Sequence, residues 1–215
     1  MTLHVLRCNI SQRLVHSGIY CAMSIDTFVE HVYNQQLTLQ NVQKAVMRNQ
    51  SLISGRHSKT GGTALHGAVS RQNRDLVAAL LAYGAKCMAN RHGETPVYLT
   101  CFRGTADMLR LLIDGGGCVN QVTCASESPL IALIREFEGD EEQLSVLLAH
   151  PDIDLDAKHY AKTAWQWAML KVWKHKLAAI ISKERQKRLR WTNIRIAWIG
   201  SITGRHGTVK CKRKL

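Results

Sequence analysis

Gly62-Thr63-Ala64-Leu65-His66-Gly67-Ala68 and, after a short gap, Leu80-Leu81-Ala82-Tyr83-Gly84-Ala85 form the stretch of this sequence that decides its fold. Its start recurs along the chain as a hydroxyl residue, then Ala or Pro, then a large apolar residue. The recurrences are Thr95-Pro96-Val97-Tyr98, Ser128-Pro129-Leu130-Ile131 and Thr163-Ala164-Trp165-Gln166, at intervals of 32, 33 and 35 residues. Thr or Ser caps a helix by accepting a backbone N–H, and Pro suits the first helical position. The pattern therefore predicts a helix start that repeats at a near-constant period.

A second signal follows these starts and indicates a second helix. Asp75, Asp107 and Asp140 each lie twelve residues after a start, where a carboxylate favours a helix N-terminus. Leucine-rich clusters come next, and they end at a glycine such as Gly84 or at Pro151, both of which are helix stop signals. Each period therefore predicts a short helix, a turn, a second helix and a loop.

This stretch resembles the ankyrin repeat, and so does the run Leu-Leu-Ala-His-Pro-Asp-Ile-Asp-Leu-Asp at residues 147–156. The resemblance implies an all-α solenoid of stacked helix–turn–helix units over residues 24–190. The expected units lie near 24–62, 63–94, 95–127, 128–162 and 163–190. We expect residues 1–23 to be a poorly ordered lead-in and residues 191–215 to be a basic C-terminal tail.

The sequence contains no combination of residues that predicts catalysis. The resemblance implies that His66 is structural and ties its helix start to the neighbouring loop. The remaining histidines and the cysteines do not follow metal-ligand spacing, and the glycine-containing stretches 54–62 and 200–210 do not fit a phosphate-binding loop. We therefore predict a non-enzymatic protein that uses no cofactor and no metal.

The resemblance also implies a concave binding face made by the loops and by the exposed side of the first helices. The slot eight residues after each start holds mainly cations: Arg71, Arg103, Glu136 with Arg135 beside it, and Lys171. The loop tips add the further candidate contacts Lys86, Arg91, His92 and Tyr160. Because guanidinium groups bind carboxylates in a bidentate manner, we expect a protein partner with an acidic segment. The alternative is that these long side chains only keep exposed helices soluble.

The net charge of +13 is confined to the last quarter of the chain. Residues 1–160 carry 14 Lys and Arg against 15 Asp and Glu, whereas residues 161–215 carry 15 against Glu184 alone. Five of these cations form the basic patch: Lys183, Arg185, Lys187, Arg188 and Arg190. Such a cluster is compatible with nuclear import, nucleic-acid backbone contact, binding to an anionic membrane, or simple solvation. Residues 191–199 alternate between apolar and polar, which predicts a short strand or an apolar flap over the end of the stack.

Our leading hypothesis is a monomeric protein-interaction adaptor or inhibitor that uses the concave face and the loop tips. The alternative is a nucleic-acid-associated or nuclear protein that acts through its basic C-terminal region. A third reading is a piece of a longer repeat array.

Compartment is predicted from the cysteines and from the start of the chain. The seven cysteines include no C-x-x-C pair, which favours a reducing compartment, cytoplasm or nucleus. Residues 1–25 lack acidic residues and carry Arg7 and Arg13 among apolar residues, so mitochondrial targeting is the alternative. No apolar run is long enough to predict a transmembrane helix.

Overall fold

A computed structural model of the protein describes residues 23–136, 141–170 and 175–202. Its elements, in chain order, are α1 (Ile25–Tyr33), α2 (Leu39–Arg48), α3 (Ser51–Ser54), α4 (Ala64–Ser70), α5 (Arg74–Ala82), α6 (Pro96–Arg103), α7 (Ala106–Asp114), α8 (Pro129–Glu136), α9 (Glu141–Ala149), β1 (Lys158–His159), β2 (Lys162–Thr163), α10 (Ala164–Met169) and α11 (His175–Ile202). The two short strands form one antiparallel hairpin. No helix in these ranges is both long and apolar enough to span a bilayer.

The helices pack in two layers, and each layer takes one helix from each unit. The first helices α1, α4, α6, α8 and α10 contact one another in that order, as do the second helices α2, α5, α7, α9 and α11. Every unit therefore packs against the units before and after it. This is the predicted stack of helix–turn–helix units, and it extends to the degenerate first unit that begins near residue 24.

The predicted capping residues begin the first helices. The Tyr98 amide donates to Thr95 Oγ1 at 3.1 Å, and the Ile131 amide donates to Ser128 Oγ at 3.4 Å. Thr163 caps α10 through the Gln166 amide at 3.4 Å. Each bond satisfies an N–H that has no partner within its helix, which is worth about 1 kcal/mol per cap. The recurring hydroxyl residues therefore set the period of the array.

One apolar core runs through the whole stack, from Phe28 in α1 to Ile181 in α11. Leu65, Leu109 and Leu133 are fully buried within it. Burying a Leu side chain contributes about 1.5–3 kcal/mol, and helices of the same unit and of neighbouring units both pack against this core. Asp75 and Asp107 lie in the first turns of α5 and α7, as predicted.

The short strand predicted over residues 191–199 is wrong, because these residues continue α11, which runs without a break through residue 190 to Ile202. The alternative prediction, an apolar flap over the end of the stack, concerns the side chains of residues 192–199, which lie outside those that the structure describes. The physical reason for the continued helix lies in the residues before residue 191. Residues 183–190 are rich in Lys, Arg, Gln and Leu, which favour helix, and neither Pro nor Gly occurs again before Gly200. Extending an existing helix avoids the cost of a new nucleus, so the local alternation does not decide the structure.

Four of the sequence predictions fall on residues outside the described ranges. They concern the lead-in at residues 1–22, the second-helix start at Asp140, Lys171, and the basic residues from 203 to the end of the chain.

Candidate protein-binding surface

A shallow hollow lies on the side of the stack formed by the first helices. It has a volume of about 260 Å³ and is lined by Ser70, Glu94, Tyr98, Leu99, Phe102 and Arg103. We call the surface made by these residues together with Tyr33 and Arg71 the first-helix face. Leu99 and Phe102 are partly exposed here, so the hollow offers apolar contact beside charged groups. A hollow with both apolar and charged lining is a better binding site for a peptide segment than a flat charged surface would be.

Tyr33 lies at the edge of this face because the next unit has a glycine, Gly67, at the position where a side chain would collide with Tyr33. A Cβ built on Gly67 would lie 3.0 Å from Tyr33 Cδ2 and 3.2 Å from the Tyr33 amide nitrogen. The Tyr33 hydroxyl is hydrogen-bonded to Ser70, and burial raises the pKa of this phenol. Gly67 therefore allows α1 to approach α4 closely and holds Tyr33 on the first-helix face.

Arg71 and Arg103 occupy equivalent places at the ends of two adjacent first helices. Arg71 donates from Nε to the Tyr33 carbonyl, and Arg103 lies over the Phe102 ring, 5.3 Å from its centroid. Gln72 joins the two helix ends by donating from its side-chain amide to the Arg103 carbonyl at 2.7 Å. Across the described ranges, neither arginine forms an ion pair with a carboxylate.

Arg135, which we placed on the exposed row, instead belongs to a partly buried polar network. Its Nη1 lies 3.2 Å from Glu127 Oε1 and 2.7 Å from His159 Nε2. Tyr98 donates from its hydroxyl to Glu127 Oε2 at 2.9 Å. Burial, then the hydrogen bond to Glu127, raises the pKa of Tyr98. A buried carboxylate needs a counter-charge, so Arg135 stabilises Glu127 within the protein and is not an exposed contact for a partner.

The loop tips are joined in a row by backbone hydrogen bonds. The Arg91 amide donates to the Thr60 carbonyl at 3.0 Å, and the Cys124 amide donates to the His92 carbonyl at 2.8 Å. A glycine is required at this turn because Gly93 has φ +76°, and a Cβ there would lie 2.8 Å from the Cys124 nitrogen. Arg91 and His92 are therefore exposed side chains on a fixed backbone.

Tyr160 projects from the hairpin between β1 and β2. Lys158 pairs with Thr163 and His159 with Lys162, which leaves Tyr160 and Ala161 as a two-residue turn with φ values of 47° and 60°. The Tyr160 side chain is 75% exposed. Lys86 is also exposed, but it lies just after α5 rather than at a loop tip. The structure thus brings Arg91, His92 and Tyr160 to the tips and leaves Lys86 apart from them.

Comparison with known families decides the identity of the fold. The family model described as ankyrin repeats matches three copies at residues 65–159. The chain contains ankyrin repeats. The matched residues span α4 to β1, and the structure adds one two-helix unit before this ankyrin segment and one after it.

A curated relative is the tyrosine-protein kinase HTK16 of Hydra vulgaris, which is 45% identical over 60 residues. This match covers 27% of the present chain and 8% of the kinase. A segment this short carries nothing about the kinase's activity over to this chain. Ankyrin repeats are typically non-enzymatic and present extended binding surfaces, so residues 65–159 indicate a protein–protein interaction module.

His66 has the structural role that the resemblance implied. Its Nδ1 accepts from the Thr63 amide at 3.1 Å, and its Nε2 lies 3.1 Å from the Glu94 carbonyl in the next loop. Burial lowers the pKa of His66, which keeps the ring neutral. Across the described part of the chain, His, Cys, Asp and Glu side chains do not cluster in a way that could hold a metal ion.

The basic patch on α11 contains cations that bond to the ankyrin stack and cations that do not. Arg188 donates to the carbonyls of Leu148, His150, Pro151 and Ile153 at 2.9–3.2 Å. Arg185 lies 2.8 Å from Asp156, and Lys187 lies 3.6 Å from Glu184. Lys183 and Arg190 are exposed and lie in no ion pair with a described residue. The patch is therefore not one continuous basic stripe.

Sequence reasoning missed Tyr33, Phe102 and the Tyr98–Glu127 pair. One signal was available for Tyr98, because it stands at the position that His66 occupies one unit earlier. A polar side chain at that position reaches the next loop, as His66 does. Tyr33 and Phe102 carry no comparable signal, since their exposure depends on the packing of neighbouring units.

Proposed function

We propose that this ankyrin stack binds an acidic segment of a partner protein on its first-helix face, as an adaptor or inhibitor. The observation that carries the proposal is the placement of Arg71 and Arg103 at adjacent helix ends without carboxylate partners among the described residues. A guanidinium group binds a carboxylate through two parallel hydrogen bonds, and this geometry gives specificity as well as affinity.

The apolar floor beside the arginines supports the same conclusion. Phe102 stacks under Arg103, which limits the freedom of that guanidinium before a partner arrives. Arg and Tyr are enriched among residues that dominate binding energy in protein interfaces. The exposed Tyr160 at the hairpin tip supplies a second anchor of this kind. A partner segment with carboxylates flanking one or two apolar residues would use all of these groups.

The proposal is tested by selecting binders from a random peptide library and measuring them against charge-reversed variants. We expect the selected peptides to be enriched in Asp and Glu and to lose at least about tenfold in affinity for the R71E/R103E variant. K44E/R48E is the matched control, because Lys44 and Arg48 are exposed on α2 and the change in charge is identical. Peptides without acidic residues, or equal affinity for wild type and R71E/R103E, would contradict the proposal.

We also place the protein in the cytoplasm or the nucleus. Four cysteines that the structure describes, Cys87, Cys101, Cys118 and Cys124, are free thiols, which supports a reducing compartment. Imaging of a fluorescent fusion in cells tests this placement, and signal confined to mitochondria or to the secretory pathway would contradict it.

A further inference from the structure

A large recess in the described part of the molecule lies away from the first-helix face, between α9 and α11. It has a volume of about 1140 Å³. We call it the C-terminal groove. One wall is formed by Leu148, Ala149 and Pro151 at the end of α9, and the other by Ile180 and Trp191 on α11. Ala149 and Trp191 are exposed, and the Trp191 side chain is 64% exposed. The groove therefore presents apolar surface that the stack itself does not cover.

The rim of the C-terminal groove is cationic. Lys183, Lys187 and Arg190 line it at a spacing of four and three residues, which places them on one side of α11. Glu184 also lines the groove, but it is already within 3.3 Å of Arg188 and 3.6 Å of Lys187. Lys183 and Arg190 have no acidic partner among the described residues. The rim thus carries positive charge that the stack leaves uncompensated.

Arg188 holds the two walls of the groove in a fixed relation. Its guanidinium, on α11, donates to the Leu148 and His150 carbonyls at 3.1 and 3.0 Å, at the end of α9. It also donates to the Pro151 and Ile153 carbonyls in the loop that follows. A recess that exists before binding lowers the entropic cost of association. The C-terminal groove is therefore a built feature rather than a chance gap between helices.

A smaller hollow continues the recess past Ala149 toward α7. Its volume is about 370 Å³, and it shares Ser145, Ala149 and Pro151 with the larger one. Its cation, Arg110, is already paired with Asp107 at 3.0 Å and Glu142 at 3.1 Å. The uncompensated positive charge is therefore restricted to the α11 side, which would orient any ligand that carries negative charge on one flank only.

We propose that the C-terminal groove binds an amphipathic helix of a partner protein, with its apolar face on Leu148, Ala149 and Ile180 and its acidic flank along Lys183, Lys187 and Arg190. The lining from Ile180 to Trp191 spans about 17 Å of helix, which matches about three turns of a bound helix. Recessed aliphatic side chains suit a helix inserted into a groove. A nucleic acid would instead favour a row of exposed aromatic rings, and a bilayer would favour a protruding apolar face.

The experiment uses the full chain and three fluorescent probes. These are a designed twelve-residue helix with a leucine face and glutamate flank, a uridine oligonucleotide, and phosphatidylcholine vesicles containing phosphatidylserine. A lysine-flanked version of the same helix controls for apolar contact alone. We expect the acidic helix to bind more tightly than the other probes, and its affinity to fall at least about tenfold in K183E/R190E.

A second variant, A149W, fills the groove without changing its charge and should weaken the acidic helix to a similar degree. K44E/R48E is the matched charge control and should leave binding within about twofold of wild type. R71E/R103E should also leave it unchanged, which separates this proposal from the one on the first-helix face. Circular dichroism verifies that each variant is folded.

Three results would overturn the proposal. They are no binding of the acidic helix to wild type, unchanged binding in both K183E/R190E and A149W, or tighter binding of the oligonucleotide or the vesicles that is lost in K183E/R190E. The third result would assign the rim to nucleic acid or to an anionic membrane instead.

Discussion

The Nε2 atom of His66 lies 3.1 Å from the carbonyl oxygen of Glu94, so one imidazole joins the start of α4 to the loop of the next unit. Its other nitrogen accepts from the Thr63 amide at 3.1 Å. His66 therefore stabilises both the start of α4 in its own unit and the packing of the next unit against it.

Replacing His66 with alanine should lower the free energy of unfolding by about 2 kcal/mol, because it leaves the buried Thr63 N–H unpaired and removes one of the two hydrogen bonds that the Glu94 carbonyl accepts. His66→Gln should cost less than about 1 kcal/mol, since an amide can both accept and donate. The chain already uses this solution in α10, where Gln166 accepts from the Thr63-equivalent amide of Thr163 at 2.8 Å. Chemical denaturation of both variants tests the difference. Equal losses would contradict it.

His66 should also make stability depend on pH. Burial lowers the pKa of the folded ring below 6.5, so the unfolded chain binds the proton more readily. The contribution of His66 to stability is therefore complete above about pH 6.5 and is lost as the pH falls through the lowered folded pKa. Unfolding free energies measured between pH 7.5 and about pH 5 should decline less steeply for His66→Gln than for wild type. Parallel pH profiles would show that another group is responsible.

Arg188→Ala should lower the free energy of unfolding by about 2 kcal/mol, because hydrogen bonds from a charged donor to four carbonyls are lost. Arg190→Ala is the matched control, since Arg190 is exposed on the same helix, and it should change stability by less than about 0.5 kcal/mol. Thermal and chemical denaturation of the pair distinguish the two arginines. A similar effect of both substitutions would contradict the structural role of Arg188.

Glycine should be favoured both at the hairpin turn and at the Gly93 turn, because both have a left-handed backbone. Ala161 has φ 60°, which costs an L-residue about 1 kcal/mol, so Ala161→Gly should stabilise the protein by about that amount. Gly93→Ala should destabilise it by about 2 kcal/mol or more, because it combines φ +76° with a Cβ 2.8 Å from the Cys124 nitrogen. Melting temperatures should therefore shift in opposite directions. A rise for both or a fall for both would refute this account.

The rate at which each cysteine is alkylated should decrease as its burial increases. Burial raises the pKa of Cys87 to about 11 and raises that of the fully buried Cys101 further above its ordinary value. At pH 8 only about one Cys87 thiol in a thousand is then a thiolate. The exposed Cys118 and Cys124 should therefore react with iodoacetamide well before Cys87 and Cys101 in the folded protein. Peptide mass spectrometry at successive times measures the order, and urea should abolish it.

The sequence was sufficient to predict the fold because its decisive signals are local. Thr95, Ser128 and Thr163 cap helices through amides three residues further along, and that geometry depends on the immediate chain. The same is true of Asp75 and Asp107 in the first turns of second helices. The pattern at residues 191–199 was misleading because helix continuation from the preceding residues outweighs a local alternation.

The candidate site could be predicted only in part, because the fate of a cation depends on its tertiary neighbours. Arg103 and Arg135 both come near the end of a first helix, yet Arg103 lies over Phe102 in the open and Arg135 pairs with Glu127. Arg188 and Arg190 are two residues apart, yet one contacts four carbonyls and the other is exposed. Spacing along the sequence cannot distinguish these cases, because the acceptors come from other units.

The bonds from Arg188 reach back 35–40 residues to the end of α9, so α11 is fastened to the preceding unit as well as to α10 in its own unit. Solenoids usually fray inward from an end, one module at a time. Here the final module cannot detach without also uncovering carbonyl groups in the module before it. Proteolytic cleavage on the N-terminal side of residue 188 would therefore destabilise the preceding unit as well as remove the end of α11.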